Sequence, residues 1–268
     1  MSLSFYYHSL RRDISNFSLL KNRNHAGFMV SMHQSGTHWL KHMLACAITH
    51  KLNLPPPRYS HANDIICGVR ERPQYDGLPN LVSTHSIPHV LLYSGLLRRA
   101  ARFPPYLILV RDIRASLVSN YEKWKDQYQC DFSTFLRGDV SGHRFDSDIW
   151  WCIRFCNAWG AIAEKFPRGS LIVRYEDLQK DTLPQLQQIN KFWSLGLGEA
   201  DLRHGIESSG KDKMAAKKDP DTELGLTVVR RDERPPQQWF DRTQQTFFID
   251  TCARYLKYSF GYDYTDFS

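Results

Sequence analysis

Four times between residues 26 and 176 a short apolar run gives way to a stretch whose apolar residues recur every three or four positions. Residues 26–32 lead into a segment with Leu40, Met43, Leu44, Ala47 and Ile48 at helical spacing, ending near Leu52. Residues 80–84 precede HVLLYSGLLRRAA, residues 105–110 (PYLILV) precede a helical pattern over 113–128, and SLIVRYE precedes a helix at about 183–193. A long aromatic helix is predicted at 148–166. Short apolar strands separated by helices pair in parallel and need cover on both faces. The expected fold is therefore α/β: a single domain with a central, mostly parallel sheet flanked by helices, and a P-loop-like phosphate-binding turn after the first strand.

At 268 residues the chain can bury one large core, and no shift in composition divides it, so residues 1–268 are expected to form one domain. Residues 208–236 are polar, charged and almost without apolar period, which predicts a long flexible loop before a last helix at about 237–258. Arg11, Arg12 and Asp13 interrupt the segment where an export signal would need an unbroken apolar run, and no membrane span is expected. Six cysteines form no Cys-x-x-Cys pair, which predicts free thiols and a cytoplasmic location. A net charge of +7 suits an anionic ligand, and 13 Tyr, 15 Phe and 7 Trp offer stacking faces. A nucleic-acid binding module would use both, but the basic residues are scattered and no RNA or DNA motif is present.

Between the first strand and its helix the backbone must turn at Ser35-Gly36-Thr37, leaving first-turn amides without intrahelical partners at the positive end of the helix. Such an end receives anions, and the Ser35 and Thr37 hydroxyls and the His38 ring add polar atoms. No Gly-Lys-Ser/Thr follows, so nucleoside triphosphate hydrolysis is disfavoured; Thr37 as a plain N-cap is the simpler account of this turn alone. Arg111 stands where PYLILV ends, able to reach a phosphate from the carboxyl edge of the sheet, with an ion pair to Asp112 or Glu122 as the alternative. Ser119 lies eight residues on, and His85 closes the second apolar run.

These segments together resemble the PAPS-dependent sulfotransferases. SMHQSGTHWL resembles the family's 5′-phosphosulfate loop, which reads PKSGTTWL in cytosolic members; RDIRASLVSNYEKW is similar to its 3′-phosphate segment, with the arginine and serine at family spacing. VRYEDLQKD and LVSTHSIP match two further segments, and the four fall in family order across residues 26 to about 194. The resemblance implies PAPS as donor and PAP as product, no metal, and a small-molecule acceptor rather than a nucleic acid or a membrane. It implies that Gln34, Ser35, Gly36, Thr37 and His38 hold the 5′ side, that Arg111 and Ser119 hold the 3′-phosphate, and that Trp39 stacks on adenine while Tyr175 hydrogen-bonds it. His85 becomes the general base that takes the acceptor's proton.

The pattern also breaks. Gln34 stands where the cytosolic relatives carry a lysine that meets the leaving-group oxygen. Its amide can donate, so Gln34 is kept with His85 as catalytic, and His33, His38 and Lys41 remain alternative sources of charge. Ser83 replaces a second lysine, and the glycine-rich C-terminal clamp is represented only by VVRRDERPPQQWF, where Arg230 and Arg231 would close on the 3′-phosphate. A catalytically weak or inactive relative that binds PAP is the competing reading. The segment after Trp239 does not match the family's dimerisation segment, which leaves the oligomeric state open. Loops at 53–80, 128–148 and 208–236 are rich in Tyr, His, Asp and Arg, which favours a polar acceptor, such as a natural product, carrying a hydroxyl or an amine.

Overall fold

The computed structural model describes residues 3–15, 25–100, 103–217 and 234–267. Five strands, β1 (Gly27–Ser31), β2 (Ile66–Gly68), β3 (Leu81–Thr84), β4 (Tyr106–Val110) and β5 (Ser170–Arg174), form one sheet in the order β2-β3-β1-β4-β5. Every neighbouring pair is parallel. Around it lie α1 (Leu3–Ser15), α2 (Thr37–Lys51), α3 (Gly95–Ala100), α4 (Ile113–Tyr128), α5 (Phe132–Arg137) and α6 (Ile149–Lys165), then α7 (Tyr175–Lys180), α8 (Thr182–Trp193), α9 (Glu199–Ser208), α10 (Lys211–Ala216) and α11 (Arg242–Tyr255).

The strand alternation divides the core in two. Phe28 and Val30 of β1 with Tyr106, Ile108 and Val110 of β4 face a cluster built with α4, α6 and α11; Met29, Leu107 and Leu109 face one built with α2, α8 and α9. All ten residues of β1 and β4 are buried, which is why both segments read as continuous apolar runs. The chain leaves β1 for α2 on one face and leaves the adjacent β4 for α4 on the other. Their carboxyl ends consequently border the crevice in which open α/β sheets bind ligands.

Where the structure departs from the sequence expectations, short or exposed elements are responsible. The run SLIVRYE ends as a strand at Arg174, and Tyr175 opens α7. The helical pattern near residues 89–101 splits into a 3-10 turn, Val90–Tyr93, and α3, with Ser94 between them. Within the expected 208–236 loop, Lys211–Ala216 folds as α10 because Met214 finds a buried site; residues 218–233 lie outside the described residues. The last helix starts later than expected, at Arg242, where Asp241 and Gln244 form a capping box.

Candidate active site

The loop after β1 is built by two residues in the left-handed region, Gln34 at φ 59° and Gly36 at φ 83°. Gly36 is required twice over, since a Cβ there would also stand 2.5 Å from the Tyr175 ring. Leu40 N–H donates to the Gly36 carbonyl, so the amides ahead of Leu40 in the first turn of α2 have no intrahelical acceptor and sit at the positive helix end. The hydroxyls expected to help there are engaged within the protein. Ser35 Oγ donates to the Met32 carbonyl at 2.5 Å, and Thr37 Oγ1 donates to Ser31 Oγ at 2.9 Å. Both side chains brace the turn, as does the Ser35 N–H, which donates to the Met32 carbonyl at 3.3 Å; the amides of Gly36, Thr37 and His38 are what the turn offers to an anion. His38 Nδ1 is buried without a hydrogen-bond partner among the described residues.

Across the crevice, Arg111 follows β4 directly. One guanidinium nitrogen donates to the Gln34 carbonyl at 2.7 Å and to Ser119 Oγ at 3.3 Å, and its carbon lies 4.6 Å from the Tyr175 ring centroid. Asp112, one of the carboxylates weighed as an Arg111 partner, instead caps α4 through Arg114 N–H at 2.7 Å and pairs with the Arg114 guanidinium at 2.6 Å. Glu176 accepts from Asp112 N–H at 3.2 Å, and Asp177 stands 3.9 Å from Arg174, which makes both structural carboxylates. Trp39 meets Tyr175 edge to face at 6.2 Å and is fixed by its indole N–H donating to the Ser209 carbonyl at 3.0 Å. Gln34, Gly36, Trp39, Arg111, Ser119 and Tyr175 are thus one connected group.

His85 lies on the other side of β1, one residue beyond β3. Its Nδ1 is 2.9 Å from the Ser31 carbonyl oxygen and 3.2 Å from Ser31 Oγ. A carbonyl only accepts, so Nδ1 carries the proton and Nε2 keeps its lone pair. Trp159 of α6 anchors the following residue by donating to the Ser86 carbonyl at 3.0 Å. His33 stacks on His85 with centroids 4.2 Å apart and planes 19° from parallel, and Trp151 closes against His33 at 4.6 Å. Burial, foremost, holds the His85 imidazole below its usual range, opposed by the Ser31 hydrogen bond. Burial likewise lowers His33 and His38 to about 3 each. All three rings are therefore neutral near pH 7, and His85 is ready to accept a proton.

The neutrality removes His33 and His38 as sources of positive charge beside Gln34. Lys41 is buried, lowered by that burial to about 8, drawn on by Glu71 and Asp64, and donates to Asn63 Oδ1. Arg230 and Arg231 lie outside the described residues. Trp239 packs edge to face against Tyr121 and Phe132, at 6.3 and 5.7 Å. Among the described residues no group of three or more His, Cys, Asp or Glu is placed to hold a metal ion, and no helix is long and apolar enough to cross a membrane.

A family model described as Sulfotransferase domain matches residues 26–224. Among solved structures, mouse sulfotransferase SULT7A1 complexed with PAP superposes with a TM-score of 0.61 at 15% identity, covering 97% of this chain and 93% of the other. Retinol dehydratase in complex with androsterone and the inactive cofactor PAP gives 0.60 at 17%, covering 94% and 87%. At such identities the likeness concerns the fold alone. No curated protein matches the chain in sequence.

Proposed function

The chain belongs to the sulfotransferase domain family, and on that premise we propose that it moves a sulfuryl group from PAPS to a hydroxyl or amine of a small polar acceptor, with His85 as general base. One observation carries the reading: the unpartnered amides at the start of α2 and the Arg111–Ser119 pair flank the same crevice, while Nε2 of His85 stands unclaimed across β1. A doubly phosphorylated adenosine fits this donor set. The amides of Gly36, Thr37 and His38, with the Gln34 side chain, would hold the 5′ side on a turn that Ser35 braces through the Met32 carbonyl, with Arg111 and Ser119 on the 3′-phosphate and Trp39 and Tyr175 on the base. Arg230 and Arg231 are proposed as further 3′-phosphate ligands. The solved PAP complexes of the two similar structures support PAPS as the donor.

PAPS supplies the sulfuryl group: the acceptor's oxygen or nitrogen bonds to sulfur as the sulfur–oxygen bond to the phosphate breaks, the nucleotide keeps that electron pair, and the acceptor's proton passes to His85 Nε2. The Ser31 carbonyl holds the tautomer this requires, and Trp151 and His33 shelter the ring from water. The loop amides oppose the charge gathering on the departing phosphate. Since androsterone and retinol are the ligands of the similar dehydratase structures, a small-molecule acceptor accords with the fold. The neutral Gln34 side chain favours the second reading, a relative that binds PAP without turnover. Calorimetric titration with PAP, followed by incubation with PAPS and a panel of hydroxylated and aminated metabolites, separates the two. A product heavier by one sulfuryl group is expected; PAP binding with no product from any acceptor favours the binder, and no PAP binding at all removes both.

A further inference from the structure

Sulfuryl transfer draws negative charge onto the group in flight and the oxygen it leaves, and a water-poor site must meet that charge with a preorganised cation or donor. The phosphate loop has no cationic side chain: Gln34 is neutral, and burial keeps His33 and His38 uncharged. Lys41 is engaged by Asn63 and by the carboxylates of the 64–71 segment. One further lysine comes from outside the loop. Lys123 lies on α4 one turn beyond Ser119, and residues four apart share a helix face, so it continues the face that touches Arg111. It is half-buried, its ammonium sits 4.9 Å from the Trp124 ring, and no carboxylate among the described residues pairs with it. The charge of Lys123 acts on His33, and together with the stronger charge of Lys41 it acts on His38 and His85.

We propose that Lys123 is the cation that faces the sulfuryl group of PAPS, reaching from α4 into the space between the phosphate loop and His85. This rests on the sulfotransfer reading above. Long, and without a carboxylate partner among the described residues, Lys123 can follow the charge as it moves from the sulfuryl oxygens toward the leaving oxygen, a task the shorter amide of Gln34 performs only as a neutral donor. The same ammonium discourages protonation of His85, keeping the base in its working form.

PAP and PAPS differ by the sulfuryl group, so the pair isolates this contact without knowledge of the acceptor. Binding of each is measured by calorimetry for the full-length wild type, Lys123→Gln and Lys123→Arg. We expect Lys123→Gln to weaken PAPS by about tenfold or more, the loss of one hydrogen bond to a charged group, while PAP changes less than about twofold; Lys123→Arg should restore PAPS. Equal losses for PAP and PAPS place the lysine at the shared phosphates, and no loss for either places it at the acceptor; both outcomes overturn the proposal while leaving sulfotransfer standing. Failure of the wild type to bind PAP sinks both readings. Should Lys123→Gln fold poorly, Lys123→Met serves in its place, with the same ratio of PAPS to PAP affinity as the readout.

Discussion

The Nδ1 of His85 donates to the carbonyl oxygen of Ser31 at 2.9 Å, so the strand that carries the phosphate loop also fixes the tautomer of the imidazole beside it. Thr37 reinforces the arrangement from the helix side through Ser31 Oγ. The loop, its helix and the base just beyond β3 are therefore one mechanical unit. A shift of β1 would move the anion site and the proton acceptor together.

His85→Ala is expected to lower kcat by about 100- to 10,000-fold, the range for a positioned general base, while PAP affinity stays within about twofold because no nucleotide ligand is removed. Steady-state kinetics with a working acceptor, paired with PAP calorimetry, checks both halves. Retention of wild-type kcat would assign the proton to another group.

Much of this was legible in the sequence because the central strands are buried on both faces. FMV and YLILV admit no polar residue, and helices must intervene between parallel neighbours. The Arg111–Ser119 pairing was legible only through the family resemblance, because Arg111 stands ahead of α4 and Ser119 alone reads as a solvated helix serine. What escaped notice had no such period. Strand β2 is only Ile66–Gly68, and the His33–His85 stack joins a turn residue to a strand end 52 positions away. Lys123 reads as an ordinary solvated lysine of a polar helix; only the fold sets it half-buried one turn beyond Ser119, with its charge acting on three neutral histidines.

Arg111→Ala should weaken PAP by about 1.5–3 kcal/mol, roughly ten- to a hundredfold, if the guanidinium holds a phosphate. The variant also loses the hydrogen bond to the Gln34 carbonyl and the stack on Tyr175, so some loosening of the loop is included in that figure. Equal PAP affinity in wild type and variant, by calorimetry, would remove the 3′-phosphate assignment.

Gly36→Ala tests the backbone. At φ 83° an alanine costs on the order of 1–3 kcal/mol in strain, and its methyl would stand 2.5 Å from two carbons of the Tyr175 ring. We expect a lower Tm and at least tenfold weaker PAP binding. The double variant Gly36→Ala with Tyr175→Ala should relieve the collision but keep the strain, recovering only part of the Tm. Full recovery would show that the left-handed turn is dispensable.

Acid should destabilise the protein well before ordinary carboxylates titrate. Burial lowers His33 and His38 to about 3, His42 to about 4, and His85 below its usual range, whereas in the unfolded chain each returns to 6.5. As pH falls below about 6.5 the unfolded state takes up protons that the native state refuses, and each unmatched proton removes at most about 1.4 kcal/mol per pH unit. Two buried carboxyls act in the opposite sense: burial pushes Asp148 up to about 6, so below about pH 6 the native state holds a proton there that the unfolded state lacks, and Asp13, also raised by burial, works in the same direction. Four histidines outweigh two carboxyls, which predicts a falling Tm from pH 7 to pH 5 in scanning calorimetry. His33→Asn should flatten the slope by removing one of the four, and a Tm that holds or rises over that interval would mean that the imidazoles stay wet.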